Sequence, residues 1–305
     1  MRCISGHVTV YENCVIRSAH SEGKRKGTRM KVLIVSDVHF DRWIEQERDP
    51  FAALLPEDWA DLQALFIAGD LTDKPRVRWK HAIRRLARHI DPARICIVPG
   101  NHDYYDFQID RDARLADIAL AEGAHVAQKA EIIVDGPRFL CCTLWTDLAL
   151  HGDAPGAQRI ARERMNDYRY IRNAGAGYRK IRPYETVHIH EDHRNWLQDR
   201  LSRPHPGRTV VITHHCPHPN LISHEPGELD PVYGSDLTGM INRFQPDAWL
   251  FGHTHHRAEA RNDGTLIKNV SLGYPDEVTP GSERAVLRRG LLDVDEDHGQ
   301  LSAGP

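Results

Sequence analysis

Long apolar runs are missing from this chain: no stretch nears the ~18 apolar residues that a membrane-spanning helix requires. The first thirty residues also lack the unbroken apolar core of a secretory leader. Cysteines are few, six in 305 residues, and they show neither a CxxC pair nor metal-finger spacing. Cys141 and Cys142 are adjacent, a poor start for a disulfide framework, and together with Cys96 they lie inside apolar runs as small buried hydrophobes. A reducing, cytoplasmic setting is therefore expected. An excess of one charge is absent too. The formal net charge of −3 offers no general attraction to nucleic acid or to anionic membrane. With 40% hydrophobic and 27% charged residues the composition is that of a globular protein, long enough for one large α/β domain or two small ones.

Histidine, by contrast, is abundant: 20 in all, eight of them between His205 and His256. Five short polar motifs account for part of this excess. They are Asp37-Val38-His39, Gly69-Asp70-Leu71-Thr72-Asp73, Gly100-Asn101-His102-Asp103, Thr213-His214-His215 and Gly252-His253-Thr254-His255. Each follows a short apolar run that reads as a buried strand: Val32–Val35, Ala64–Ala68, Ile95–Val98, Val210–Ile212 and Ala248–Phe251. In an open α/β sheet, side chains just past the carboxyl ends of neighbouring strands converge on one crevice. Asp, Asn and His gathered there have the make-up of a two-metal hydrolytic site. Taken singly, an Asp after a strand is as readily a helix N-cap or a turn residue.

From Met30 onward, strand and helix patterns alternate. Helices are expected over Pro50–Leu65, Arg76–His89, Asp110–Glu122, Val187–Arg203 and Ser235–Phe244. Ile132–Val134 and Arg138–Thr143 read as a hairpin around Asp135-Gly136-Pro137, and Thr265–Asn269 and Leu291–Val294 as further strands. This pattern implies helices packed on the faces of buried sheets. Residues 1–29 are polar and end in a basic stretch, so either Met30 is the natural start or they form a dispensable extension. Val8–Val15 has strand character and offers the alternative of pairing at a sheet edge. Residues 30–295 form a single domain with an insertion at about 145–186, and residues 296–305 a loose tail.

The five motifs, in this order, resemble the pattern of the calcineurin-like metallophosphoesterases: Asp-x-His, Gly-Asp-x-x-Asp, Gly-Asn-His-Asp/Glu, a later His, then Gly-His-x-His. The resemblance spans Asp37 to His255. It implies a four-layer αββα sandwich and a dinuclear hydrolase of phosphoric esters. It also implies ligand roles: Asp37, His39 and His255 on one metal, Asn101, His214 and His253 on the other, and Asp70 bridging. His214, emerging directly from its strand, is preferred to His215. A metal-bridging water would attack phosphorus. His102 would act as general acid or transition-state stabiliser, oriented by Asp73, with Asp103 as the other candidate partner. Mixed N/O ligation suits Mn²⁺, Fe²⁺/Fe³⁺, Zn²⁺ or Mg²⁺, with Mn²⁺ favoured.

The insertion interleaves arginines with tyrosines around Gly175-Ala176-Gly177, a plausible hinge. A lid is one reading, in which Asn166, Arg169 or Arg172 grips the phosphate; a solvated helical pair is the other. Basic and aromatic interleaving also suits single-stranded nucleic acid, which the net charge disfavours. His188-x-His190 has metal-motif spacing, yet positions two apart point to different sides of a helix, so a solvated helix start is expected. Lys74-Pro75 stands where the protein Ser/Thr phosphatases of this superfamily carry Arg-Gly, which turns the resemblance towards small phosphodiesterases and phosphomonoesterases. A nuclease of the same fold and a non-catalytic metal-binding scaffold are the competing functions. Filled ligand positions together with His102 favour the enzyme, acting on a small phosphoester and away from membranes.

Overall fold

The computed structural model describes residues 14–16, 31–223, 225 and 227–293. The proposed start at Met30, most of the 1–29 extension and the 296–305 tail lie outside these residues. In chain order the strands are β1 (Cys14–Ile16), β2 (Lys31–Val35), β3 (Leu62–Ala68), β4 (Ile95–Val98), β5 (His125–Val126), β6 (Ala130–Val134) and β7 (Arg138–Cys142). They continue with β8 (Arg172–Asn173), β9 (Arg179–Lys180), β10 (Thr209–Thr213), β11 (Ala248–Phe251), β12 (Glu259–Asn262), β13 (Thr265–Asn269) and β14 (Leu291–Asp293). One sheet runs β1-β6-β7-β10-β11-β13-β12, another β14-β2-β3-β4-β5, and β8 and β9 form a two-stranded ribbon.

Strand side chains alternate between faces, and here both faces are apolar, which is why the runs read as continuous. Val32, Ile34, Phe66 and Val98 meet Ile132, Phe139, Ile212 and Leu250 between the two large sheets. Phe66 and Phe139 stack there with centroids 4.8 Å apart. The alternate residues Leu33, Val35, Leu65 and Ile67 turn outward onto Trp79, Ile83 and Leu115, carried by helices Pro75–Leu86 and Asp112–Leu120. On the far side Leu140, Val211 and Trp249 pack with Leu197 and Ile241, from helices Pro183–Leu201 and Thr238–Phe244. Three apolar layers thus separate four layers of backbone, an αββα sandwich. Each fully buried Leu, Ile or Phe contributes ~1.5–3 kcal/mol, so these interfaces outweigh local helix propensity.

Strands β2, β3 and β4 are mutually parallel, as are β10 and β11. The sheets are stitched together next to the first motif. Ser36 N–H donates to Val270 O at 3.0 Å, and Leu272 N–H to Ser36 O at 2.8 Å.

Several expectations change. Pro50–Leu65 is not one helix but a turn of 3₁₀ helix (Pro50–Ala53), a four-residue helix (Pro56–Trp59) and then β3. Pro56 holds Leu55 extended, at φ −84° and ψ 162°, which breaks the helix. The Val187–Arg203 helix begins earlier, at Pro183, a favourable first position for proline. The helix expected from Ser235 begins only at Thr238. Cys14–Ile16 pairs parallel with β6, so part of the extension does sit at a sheet edge. The insertion folds into helix Ala154–Arg164, a turn at Asp167–Tyr170 and the β8–β9 hairpin. Its Gly175-Ala176-Gly177 segment is the hairpin turn, and the Asp110 carboxylate accepts from Ala174 N–H and Gly175 N–H at 3.0 and 2.8 Å. Those bonds tie down the supposed hinge. His188 is exposed, but His190 is fully buried, so the solvated reading of that pair holds for His188 alone. Among the described residues no helix is long and apolar enough to cross a membrane.

Candidate metal centre

Three of the five motifs turn through left-handed backbone as their strands end. Asp37, His39, Asp70, His253 and His255 have φ of 51°, 41°, 56°, 65° and 52°. Asp and His enter this left-handed region more readily than most residues, and the turn swings their side chains into one crevice. Gly100 and Gly252 permit close approaches that a side chain would block. A Cβ on Gly100 would collide with the Asp70 carboxylate, and one on Gly252 with Ser36 Oγ and Asp37 Oδ2. Asp103 organises the loops beneath. Its carboxylate accepts the N–H groups of Gly100, Asp70 and Thr72 at 2.9, 2.9 and 3.3 Å, and the Trp79 indole N–H at 2.8 Å.

Among the described residues three groups of donors lie close enough to hold a cation, their ligand atoms within 4.8 Å of one another: Asp37, His39 and His255; His39, Asp70 and His102; and Asp70, His214 and His253. Asp70 stands in the middle. Its Oδ2 lies 3.8 Å from His39 Nε2 and its Oδ1 3.5 Å from His214 Nε2. Asn101 Oδ1 lies 2.9 Å from His214 Nε2, which places Asn101 with the third group. Asp37 Oδ1 is 3.4 Å from His255 Nε2, and its carboxylate is fixed by His253 N–H at 2.9 and 3.0 Å and by Ser271 O–H at 2.6 Å. His215 points elsewhere, its Nδ1–H donating to Thr143 O at 3.2 Å.

The carboxylates and imidazoles of the cluster perturb one another strongly. Burial alone would raise the Asp37 and Asp70 carboxyls, yet neighbouring imidazoles (His255 for Asp37, His214 for Asp70) hold both well below the usual carboxylate range. Burial opposes charging of His214 and His255, but Asp70 and Asp37 respectively lift them to about 9 and about 10. His39 and His253 are pushed down to about 3, mainly by burial, so their lone pairs stay free. His253 Nε2 is buried without a hydrogen-bond partner, and the facing Nε2 atoms of His39 and His255 lie 3.3 Å apart. An orphaned buried nitrogen beside converging imidazoles and carboxylates is the environment a divalent ion would satisfy.

His102 also reaches this cluster, beside His39 and Asp70. Its Nδ1 is 2.7 Å from Asp73 Oδ1. Burial would lower its pKa; Asp70 and Asp73 overcome that and raise it to about 9.

Other members of the site were not foreseen. Asp167 is buried and accepts from Asn101 Nδ2–H at 2.8 Å and Tyr105 O–H at 2.7 Å. Glu277 holds His255 Nδ1 at 2.6 Å, and Tyr274 stacks on His39 at 4.4 Å. Carboxylates bonded to the far nitrogen of a ligating histidine orient it. No motif spacing marks Asp167 or Glu277. By contrast, Asn166, Arg169 and Arg172 stay within the insertion. Arg169 donates to Glu163 O and to Asn166 Oδ1, at 2.8 and 3.4 Å, and Arg172 to Tyr178 O at 2.8 Å. The insertion reaches the cluster through the neighbour, Asp167.

A family model of the calcineurin-like phosphoesterases matches residues 30–257. The chain belongs to that family, which is metal-dependent. Among curated proteins, the uncharacterized protein L509 of Acanthamoeba polyphaga mimivirus is 25% identical over 248 residues, 72% of this chain and 82% of its own length. Among solved structures, phosphopantetheinyl hydrolase (PptH) from Mycobacterium tuberculosis aligns with a TM-score of 0.60 at 22% identity, covering 82% of this chain and 92% of that one. TT1561 of Thermus thermophilus gives 0.47 at 17% identity, with 88% and 95% covered. The first of these two shares the fold.

Proposed function

We propose that this protein is a dinuclear metal-dependent phosphoric ester hydrolase acting on a small phosphodiester or phosphomonoester. The observation that carries the reading is Asp70, whose two oxygens face different imidazoles, His39 and His214. In this reading Asp37, His39 and His255 hold one ion, Asn101, His214 and His253 the other, and Asp70 bridges. Two divalent ions supply an activated water nucleophile and neutralise the phosphoryl oxygens; the donor set suits several metals and Mn²⁺ is favoured. The protein's own contribution at the leaving oxygen is His102. Asp73 occupies its Nδ1, so Nε2–H is the proton it can deliver. Tyr105, stacked at 4.2 Å, and the edge of His39 at 4.8 Å fix the ring plane. A reducing, cytoplasmic setting fits the buried Cys96, Cys141, Cys142 and Cys216, which form no disulfide among the described residues.

Hydrolysis of bis-p-nitrophenyl phosphate and p-nitrophenyl phosphate by chelated and Mn²⁺-restored protein tests this reading. Turnover that returns with metal is expected, and the diester-to-monoester ratio assigns the substrate class. Metal-loaded protein inert towards both esters would favour the scaffold instead.

A further inference from the structure

Two histidines stand where the core face of a helix ordinarily carries leucine. In helix Pro183–Leu201 the buried positions are Pro183, Thr186, His190, His193 and Leu197, the spacing of a single face. Buried imidazoles without partners are costly, and the Nδ1 atoms of both find theirs in the same two residues, while His190 Nε2 is buried without one. Leu144 N–H donates to His193 Nδ1 at 3.1 Å. His190 Nδ1–H donates to the carbonyls of Leu144 and Trp145 at 3.2 and 3.3 Å. One ring accepts and the other donates, so the two are opposite neutral tautomers. Burial lowers both pKa values, that of His193 to about 3, which preserves the lone pair on which the Leu144 bond depends.

The segment they hold is strained. Leu144 and Trp145 have φ of 73° and 52°, a region that L side chains of this bulk avoid. Neither is a residue that enters it for a turn. The strained pair follows β7 and carries the Trp145 indole inward, where it is buried 5.1 Å from the ring of His215. His215 in turn lies 4.3 Å from the ring of His253, whose Nε2 is the orphaned nitrogen of the cluster. Leucines at 190 and 193 would fill the space but leave the Leu144 and Trp145 polar groups unpaired, and the turn would be free to relax.

We infer that His190 and His193 are positioning residues. They clamp the strained Leu144–Trp145 turn so that Trp145 and His215 form a rigid wall behind His253 and fix the direction of its Nε2. The inference rests on the reading of His253 as a metal ligand.

The test is a titration of wild-type protein and of the His193→Leu, His193→Asn, Trp145→Phe and His253→Asn variants with Co²⁺, followed by its visible spectrum. Mn²⁺ calorimetry and a melt of each chelated protein accompany it. Wild-type protein is expected to bind two ions. His193→Leu should lose ~10–100-fold in affinity, as is typical of residues behind a ligand, with a changed Co²⁺ band. The loss should fall on the one site that His253→Asn removes. His193→Asn, whose amide oxygen can accept the Leu144 N–H, should recover most of it, and Trp145→Phe should weaken the same site. Folded variants with wild-type affinity and spectrum would overturn the clamp, as would equal losses at both sites or a loss that Asn does not rescue. If His193→Leu does not fold, Trp145→Phe decides alone. Wild-type protein that binds no ion, or a His253→Asn variant that binds both normally, sinks the metal-centre reading and the clamp with it. Binding that survives in wild type and ignores the clamp variants sinks only the clamp.

Discussion

Two effects compete at His102. Burial disfavours its cation, the carboxylates of Asp70 and Asp73 favour it, and the carboxylates prevail. A group with a raised pKa keeps its proton below that pKa and loses it as pH rises through it, so a reaction needing the imidazolium fades on the alkaline side. Asp73→Asn removes one of the stabilising charges, and the alkaline limb of kcat should then move to lower pH by ~1 unit or more. His102→Ala should lower kcat by ~10²–10⁴ with metal content unchanged. The pH profile of kcat and metal analysis of both variants are the checks. At this scale the sequence was informative where a motif carried the residue. It left Asp73 and Asp103 as rival partners of His102, because which carboxylate meets the ring depends on how two distant loops register. In the structure Asp73 has the imidazole, and Asp103 is taken up by backbone N–H groups and Trp79.

Among the elements, the strands bearing the motifs were legible because strands buried on both faces give unbroken apolar runs. The helix over Pro50–Leu65 was misread because its apolar spacing suits a helix, whereas Pro56 and the pairing of β3 prevent one. The insertion was the least legible part. Its contact with the site runs through a buried acid that no spacing marks, one residue beyond the Asn166 that was singled out. Asp167→Ala should release the Asn101 amide and weaken one of the two ions ~10–100-fold while the protein stays folded. Arg169→Ala, which removes a guanidinium bonded to Glu163 O, should leave metal affinity and KM unchanged. Calorimetry with Mn²⁺ and steady-state kinetics separate the two variants.

For the molecule as a whole, periodicity implied helices on buried sheets. The four layers came only through family resemblance, since the order β1-β6-β7-β10-β11-β13-β12 joins strands far apart in the chain. Bound ions should stabilise this architecture. An ion present at 100 times its Kd adds ~2.7 kcal/mol, or on the order of several degrees of Tm for a large domain. Calorimetric melting with Mn²⁺ and with chelator should differ by that amount, and identical melts would mean that the folded state binds no ion.

The candidate ligands are divided between the sheets. Asp37, His39, Asp70 and Asn101 follow strands of the five-stranded sheet, and His214, His253 and His255 follow strands of the seven-stranded one. A nascent chain that has released only β2 to β4 and their loops therefore presents half a site, with Asp37, His39, Asp70 and Asn101 but without His214, His253 and His255. Contacts so distant in sequence form late. Cation capture in this protein would then close the folding process instead of seeding it, and a loaded centre would certify that both halves of the sandwich have met.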